Sequence, residues 1–196
     1  MDYKNFYAPL VLRETSSGIS AYNILDEMLR EREIECVGEI NAESVYALCR
    51  QLRHLQREDP DAPVTMYINS PGGSVTDGLA LYDVMKGISC PVHTVCLGMA
   101  ASMGALLFAA GSRRLILPHG KVMIHDPLLA RTGGSALELM ETAQDLMKTR
   151  EHMGRLLAEC TGRPLEEIFE KTRKDSYFTA EEAVAFGLAD EIVRKI

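Results

Sequence analysis

The strongest constraint on the fold is an uncharged, apolar run at residues 92–110, which a proline precedes and a glycine follows. Three of its residues carry a polar side chain: His93, Thr94 and Ser102. A run of this length is close to what a membrane-spanning helix requires, which makes such a span the alternative. Two internal glycines and the flanking breakers favour a buried strand, followed by a buried helix that starts at Ser102.

Short strands and helices alternate along the rest of the chain. The predicted strands are 34–37, 64–68, 92–97, 115–117, 122–124 and 188–193. Helices are predicted near 24–29, after Asn41, at 74–88, at 102–110, at about 135–160, from Pro164, and from Thr179 to the stop at Gly187. This alternation is typical of an α/β domain with a largely parallel sheet, in which ligands bind at the carboxyl ends of the strands.

Length and composition predict one globular domain. With 196 residues, 46% of them hydrophobic, the chain can bury a substantial core. The first eighteen residues contain Pro9 and are rich in Tyr, Phe, Ser and Gly, so we expect an irregular, flexible segment over 1–18. The single domain is then predicted over 19–196.

Charge and cysteine content limit the compartment and the partners. A net charge of -7 without a basic cluster argues against nucleic acid or an anionic membrane as the main partner. The five cysteines are odd in number and form no Cys-x-x-Cys pair, which favours reduced thiols in a cytosol. No basic segment followed by an apolar stretch opens the chain, so we expect a cytoplasmic protein.

Ser102 is the candidate nucleophile. It stands where the apolar strand runs into the helix, between the small residues Ala100, Ala101 and Gly104, which would let a substrate backbone approach. A serine at a helix start also experiences the positive end of the helix dipole. The alternative is that Ser102 is simply a small residue in a tightly packed core helix.

A nucleophile of this kind requires a base and donors for an oxyanion. His125 ends the strand at 122–124 and can project from the same rim of the sheet as Ser102, although it could equally be an ordinary structural histidine. The segment Ser70-Pro-Gly-Gly73 predicts a turn with accessible main-chain amides, and we name Gly73 and Met103 as the donors. A purely structural turn is the alternative reading of that segment.

The pattern alone selects neither an orienting acid nor a metal site. The chain has 28 acidic residues, too many to choose among. It has no His-Glu-x-x-His and no paired Cys or His at ligand spacing, so we expect no metal.

Three motifs together resemble the proteolytic subunit family of the Clp protease, ClpP. They are Tyr67-Ile-Asn-Ser-Pro-Gly-Gly-Ser-Val75, Ala100-Ala-Ser-Met-Gly104 and Val122-Met-Ile-His125, in this order. The similarity extends from Val11-Leu-Arg-Glu-Thr-Ser-Ser-Gly18 to Glu182-Ala-Val-Ala-Phe-Gly-Leu188, and so covers most of the chain.

The resemblance implies a serine endopeptidase with Ser102 as nucleophile, His125 as general base and Asp175 as the orienting acid. It places the oxyanion hole at Gly73 and Met103, and it requires no cofactor. The implied fold is a crotonase-like spiral of strand-strand-helix (ββα) units with a protruding handle helix. The handle region is expected at about 131–160.

The same resemblance implies two stacked heptameric rings, a tetradecamer, that cleave unfolded polypeptides inside a chamber. Folded substrates would need a separate ATP-driven AAA+ unfoldase docked on the outside of the rings, because this chain has no Walker-type loop of its own.

Two departures from the family pattern concern assembly. Positions that usually carry aromatic residues for unfoldase docking are here Thr65 and Gly87, and the acid–arginine pair expected before Asp175 is replaced by Arg173-Lys174. A loss of apolar area would weaken docking. The hypothesis is a paralogue that assembles with a second ClpP-type subunit.

Two other functions stay open from the sequence. A crotonase-type acyl-CoA enzyme would use a comparable backbone hole without a triad. A ring or regulatory subunit would keep the triad residues but be active only in a mixed assembly.

Overall fold

The computed structural model describes residues 10–16, 18–129 and 133–195. The strands are β1 (Leu10–Thr15), β2 (Gly18–Asn23), β3 (Glu33–Ile40), β4 (Val64–Gly73), β5 (Val92–Ala101), β6 (Arg113–Ile116), β7 (Lys121–Ile124), β8 (Ser176–Phe178) and β9 (Glu191–Ile192). The helices are α1 (Ile24–Arg30), α2 (Ala42–Glu58), α3 (Val75–Gly87), α4 (Met103–Ala109), α5 (Ala136–Thr161), α6 (Leu165–Thr172) and α7 (Ala180–Phe186).

The central sheet is mostly parallel. Its strands follow the order β3-β4-β5-β6-β9, β7 pairs in parallel with β5, and β8 pairs antiparallel with β7. The architecture is the mixed α/β fold that the sequence predicts.

Strand β5 changes partner along its length. Residues 93–96 pair with β6, and residues 99–101 pair with β7. The change falls at Gly98, where a Cβ atom would lie 3.0 Å from Asn69 Oδ1. The same amide oxygen accepts a hydrogen bond of 3.2 Å from the Met99 main-chain N–H, at the register shift between β4 and β5. The end of β5 is thereby directed toward β7, away from β6.

The predicted turn at Ser70-Pro-Gly-Gly73 is wrong. These residues continue β4, and Gly72 and Gly73 pair with Glu39 and Ile40 of β3. The strands pass so closely that a Cβ atom on Gly73 would lie 2.1 Å from the Ile40 carbonyl oxygen. Glycine is therefore required here by strand packing as well as by its positive φ of 152°.

Local capping signals define the helix ends, as predicted at Asn41, Thr179 and Gly187. Capping boxes join Asn41 to Ser44, Ser135 to Glu138, and Thr179 to Glu182. Gly162 and Gly187 adopt left-handed conformations that end α5 and α7.

Helix α4 lies in the core. All of its residues are buried, and Leu106, Leu107 and Phe108 are fully enclosed. It packs against β4 and β5 and contacts α3 and α5. In the described ranges, no helix is both long enough and apolar enough to cross a bilayer.

The prediction of an irregular segment over 1–18 is wrong for its last part, while residues 1–9 and 17 lie outside the described ones. Strands β1 and β2 form an antiparallel hairpin with Leu10 opposite Asn23. Thr15 Oγ1 donates 2.7 Å to the Gly18 carbonyl at the turn, and Arg13 forms an ion pair with Glu27 of α1. Cross-strand pairing thus orders residues whose composition suggested a loop.

The handle predicted at about 131–160 corresponds to α5, although residues 130–132 lie outside the description. The first half of α5 is exposed, including the apolar side chains of Leu137, Leu139, Met140 and Met147. Its second half packs on α6 and α4. The handle therefore carries uncovered apolar surface at one end and is anchored to the domain at the other.

Candidate active site

Ser102 occupies the sharp junction between β5 and α4. Its backbone has φ 55° and ψ -120°, a strained conformation for a residue other than glycine. The Ser102 N–H donates 2.8 Å to the Met123 carbonyl of β7, and the Ser102 carbonyl accepts from Ala105 and Leu106 in the first turn of α4. These bonds hold the serine in its strained position at the edge of the sheet.

His125 reaches Ser102 because of the register between β5 and β7. Ala101 lies opposite Met123, so the residues that follow each strand emerge side by side. His125 Nε2 lies 2.8 Å from Ser102 Oγ, a hydrogen-bond distance. The imidazole side chain is only 14% exposed, so the pair is largely shielded from water.

Asp175 is near His125 but does not form a hydrogen bond with it. The distance from Asp175 Oδ1 to His125 Nδ1 is 3.9 Å, beyond hydrogen-bonding reach. Its side chain is 59% exposed, and it lies in the short connection between α6 and β8. The three residues thus come together with one tight contact and one loose one.

Of the two expected oxyanion donors, Met103 directly follows the serine, and Gly73 lies in the β4 segment that runs past it. Met103 is the first residue of α4, and the first amides of a helix have no carbonyl partner within it. Gly72 runs against this helix start: a Cβ atom on it would lie 2.7 Å from Ser102 Cβ and 3.2 Å from Met103 N. The backbone of β4 therefore passes beside the Met103 amide at the residue before Gly73.

Ser70 anchors this part of β4. Its fully buried hydroxyl donates 2.6 Å to the Gly38 carbonyl of β3 and accepts 3.1 Å from the Gly72 N–H. Gly104 lies against the same side chain, where an added Cβ would be 3.2 Å from Ser70 Cβ. Strand β4 and helix α4 are thus in direct contact beside Ser102.

A narrow cleft adjoins the serine and histidine. Much of its lining is apolar and comes from α4, β7 and the connection after it, and the anchored half of α5: Met103, Leu106, Ile124, Pro127, Met153 and Leu157. An apolar side chain of a substrate would find complementary surface here.

Asp126 organises the wall of this cleft, and sequence reasoning missed it. Its main-chain N–H donates 2.7 Å to the Thr172 carbonyl, and its carboxylate accepts 2.6 Å bonds from Thr172 Oγ1 and from Arg150 Nε. The sequence does show an acidic residue directly after the candidate base His125. However, no short-range pattern indicates that this acid bonds to Thr172 and Arg150, which lie far along the chain.

Four of the five cysteines are poor candidates for a nucleophile. Burial raises the pKa of Cys36 to about 12 and that of Cys96 to about 11. Burial also raises the pKa of Cys49 and Cys160. A thiol attacks as its thiolate, which these pKa values disfavour at neutral pH.

Over the described ranges, no cluster of three or more His, Cys, Asp or Glu side chains is arranged to hold a metal ion.

A mostly parallel sheet that presents a serine and a histidine in contact at the carboxyl ends of its strands is an arrangement suited to hydrolysis. The family model of the Clp protease matches residues 16–196 of the chain. The protein therefore belongs to the Clp protease family, and it is a peptidase by class. The resemblance noted in the sequence is confirmed, as is the fold it implied.

Proposed function

We propose that the protein is a serine endopeptidase in which Ser102 is the nucleophile and His125 is the general base. The observation that carries this proposal is the 2.8 Å contact between Ser102 Oγ and His125 Nε2, within a chain of the Clp protease family. Asp175 is the proposed acid, and the amides of Gly73 and Met103 are the proposed oxyanion donors.

In the proposed reaction, His125 Nε2 takes the hydroxyl proton as Ser102 Oγ attacks a peptide carbonyl carbon. The tetrahedral oxyanion accepts hydrogen bonds from the two amides. His125 then gives the proton to the leaving amine, which departs with the C-terminal part of the substrate. Water attacks the acyl-enzyme with His125 again as base, which releases the acid product and restores Ser102. This sequence requires no cofactor.

We propose an unfolded polypeptide as the substrate, cleaved inside a chamber of two stacked seven-membered rings and delivered by an AAA+ unfoldase. The uncovered apolar side chains on the first half of α5 support self-assembly, because exposed apolar clusters mark association surfaces. We assign the protein to the cytoplasm, in agreement with cysteines that are free within the described residues.

The experiment that tests catalysis measures hydrolysis of a short fluorogenic peptide by the wild-type protein and by Ser102→Ala. We expect the variant to lose the activity, and a fluorophosphonate probe to label the wild type at Ser102 only. If the protein is not labelled and hydrolysis survives in Ser102→Ala, the serine mechanism is wrong. A protein that neither reacts with the probe nor hydrolyses peptides in any assembly would favour the crotonase-type alternative.

A second candidate is a ring or regulatory subunit that is active only in a mixed assembly. The exposed Asp175, 3.9 Å from its histidine, favours it because the triad is incompletely engaged in the single chain. Gly87, at the end of α3, faces open space where an aromatic residue is the family's usual choice.

Native mass measurement and peptide hydrolysis, with and without a co-expressed ClpP-type homologue, separate these functions. A stable two-ring particle of this chain alone, active and able to bind an unfoldase, would exclude the mixed assembly.

A further inference from the structure

Asp126, Thr172 and Arg150 form a half-buried group that we call the Asp126 clamp. Both carboxylate oxygens of Asp126 are used: Oδ1 accepts from Thr172 Oγ1 and Oδ2 from Arg150 Nε, each at 2.6 Å. The Asp126 side chain is 30% exposed and that of Arg150 is 22% exposed. Bonds between charged groups in such a partly buried setting are among the stronger ones in proteins.

The clamp joins three separate elements. Asp126 follows β7, Thr172 is the last residue of α6, and Arg150 lies in the middle of α5. The main-chain bond from Asp126 N–H to the Thr172 carbonyl, at 2.7 Å, adds a second link between the first two. The guanidinium of Arg150 also stacks on the Phe169 ring of α6 at 4.0 Å, which fixes its orientation.

The clamp residues also lie close in sequence to His125 and Asp175, the two residues whose side chains are 3.9 Å apart. His125 is the residue before Asp126, and Asp175 is three residues after Thr172. The separation of imidazole and carboxylate therefore depends in part on how Asp126 and Thr172 are held together. Asp175 itself has no hydrogen bond to His125. The clamp links the two chain segments on one side of this pair, and the pairing of Ile124 with Ser176 links them on the other.

We propose that the Asp126 clamp positions His125 relative to Asp175 and couples this geometry to the anchored half of α5. Its members are positioning residues: none of them touches Ser102 Oγ, and each acts through His125 or through the segment that carries Asp175. The catalytic part of this inference rests on the proposed serine peptidase function.

Two pairs of variants test the clamp. Thr172→Val removes the hydroxyl while keeping the side-chain shape, and Thr172→Ser retains the hydroxyl. Arg150→Met removes the donor to Asp126 while keeping an apolar stem. Its control is Arg155→Met on the same helix, where Arg155 forms an exposed ion pair with Glu151 at 2.7 Å.

We expect Thr172→Val and Arg150→Met to lower kcat for a short fluorogenic peptide by about tenfold, with KM within about twofold of wild type. Fluorophosphonate labelling of Ser102 should slow in parallel. Thr172→Ser and Arg155→Met should stay close to wild type, and the native mass of all samples should be equal. Unchanged kcat in both clamp variants, a change in KM alone, or a loss of kcat that follows loss of native mass would overturn the proposal.

Hydrogen exchange of residues 173–178 provides a readout that does not need activity. We expect faster exchange in Thr172→Val than in Thr172→Ser, because the segment that carries Asp175 loses one of its anchors while its pairing with β7 remains. If the wild-type protein hydrolyses no peptide, either alone or with a co-expressed ClpP-type homologue, but this difference is present, the serine peptidase function fails while the clamp stands. If exchange is the same in both variants, the clamp does not position the segment.

Discussion

The serine side and the acid side of the site are built differently. Ser102 and His125 emerge from paired strands, are largely shielded from water and lie 2.8 Å apart. Asp175 lies in an exposed connection, 3.9 Å from the same imidazole. The difference shows that the single chain brings the proposed nucleophile and base together by its own sheet register, whereas the position of the proposed acid depends on α6 and its surroundings.

The largest expected effect comes from His125→Ala on the serine side. Without the imidazole, no group at 2.8 Å accepts the Ser102 proton, and we expect kcat to fall by about 10⁴-fold or more. Steady-state hydrolysis of a fluorogenic peptide measures the effect. The control is His54→Ala, which removes an exposed histidine of α2 and should leave kcat unchanged. Activity that survives in His125→Ala would remove this residue from the mechanism.

Gly72→Ala is expected to give the next effect, because it pushes directly on the serine. The added Cβ would lie 2.7 Å from Ser102 Cβ and 2.8 Å from the Ala101 carbonyl, at a φ of 99° that alanine rarely adopts. We expect about a 10²-fold loss of kcat, since small displacements of reacting groups are costly. The backbone strain should also lower the free energy of unfolding by about 1–3 kcal/mol.

The matched control is Gly87→Ala, where an added Cβ meets open space and no cost in activity is expected. Equal activity of the two alanine variants would show that β4 does not support the serine.

Asp175→Asn tests the acid side, and we expect it to lower kcat less than His125→Ala or Gly72→Ala does. An exposed pair at 3.9 Å contributes at most about 1 kcal/mol, so we expect no more than about a tenfold loss of kcat. Peptide hydrolysis by the variant and by the wild type at equal native mass measures the difference. A loss as large as that of His125→Ala would mean that the acid closes on the imidazole in the working assembly, and the contrast between the two sides would disappear.

The sequence predicts well those features that depend on residues close together in the chain. The helix ends at Asn41, Ser135 and Thr179 were predictable because each cap uses residues only three positions apart. The proximity of Ser102 and His125 was predictable from strand order, since both follow strands that end at the same edge of the sheet.

Features that depend on distant pairing were not predictable. Strand β8 has three residues and exists because it pairs with β7. The extension of β4 through Gly73 depends on β3 passing beside it, and the Asp126–Thr172 bond joins residues 46 positions apart. Asp175 itself came only from the resemblance to the family, because no periodic or spacing signal distinguishes it from the other acids of the chain.

Asp190 provides a fully engaged carboxylate with which Asp175 can be compared. Arg114 Nε donates 3.1 Å to Asp190 Oδ2, its main-chain N–H donates 2.7 Å to the same oxygen, and its terminal nitrogen contacts Oδ1. The hydrogen bonds from Arg114 hold the pKa of Asp190 below its ordinary value. A lowered folded-state pKa stabilises the protein at pH values above the unfolded-state pKa of Asp, which is about 4. This stability is lost as pH falls through the folded-state pKa.

We therefore expect Asp190→Asn to lower the free energy of unfolding by about 1 kcal/mol at neutral pH, a modest value because the carboxylate is partly exposed to solvent. The deficit relative to wild type should shrink as pH falls below about 4, because the wild-type carboxylate then becomes protonated as well. Asp175→Asn should leave stability unchanged at either pH. Urea unfolding at one protein concentration measures both variants. If Asp175→Asn were as destabilising as Asp190→Asn, Asp175 would be a bonded structural acid, and the looseness of the acid side would be refuted.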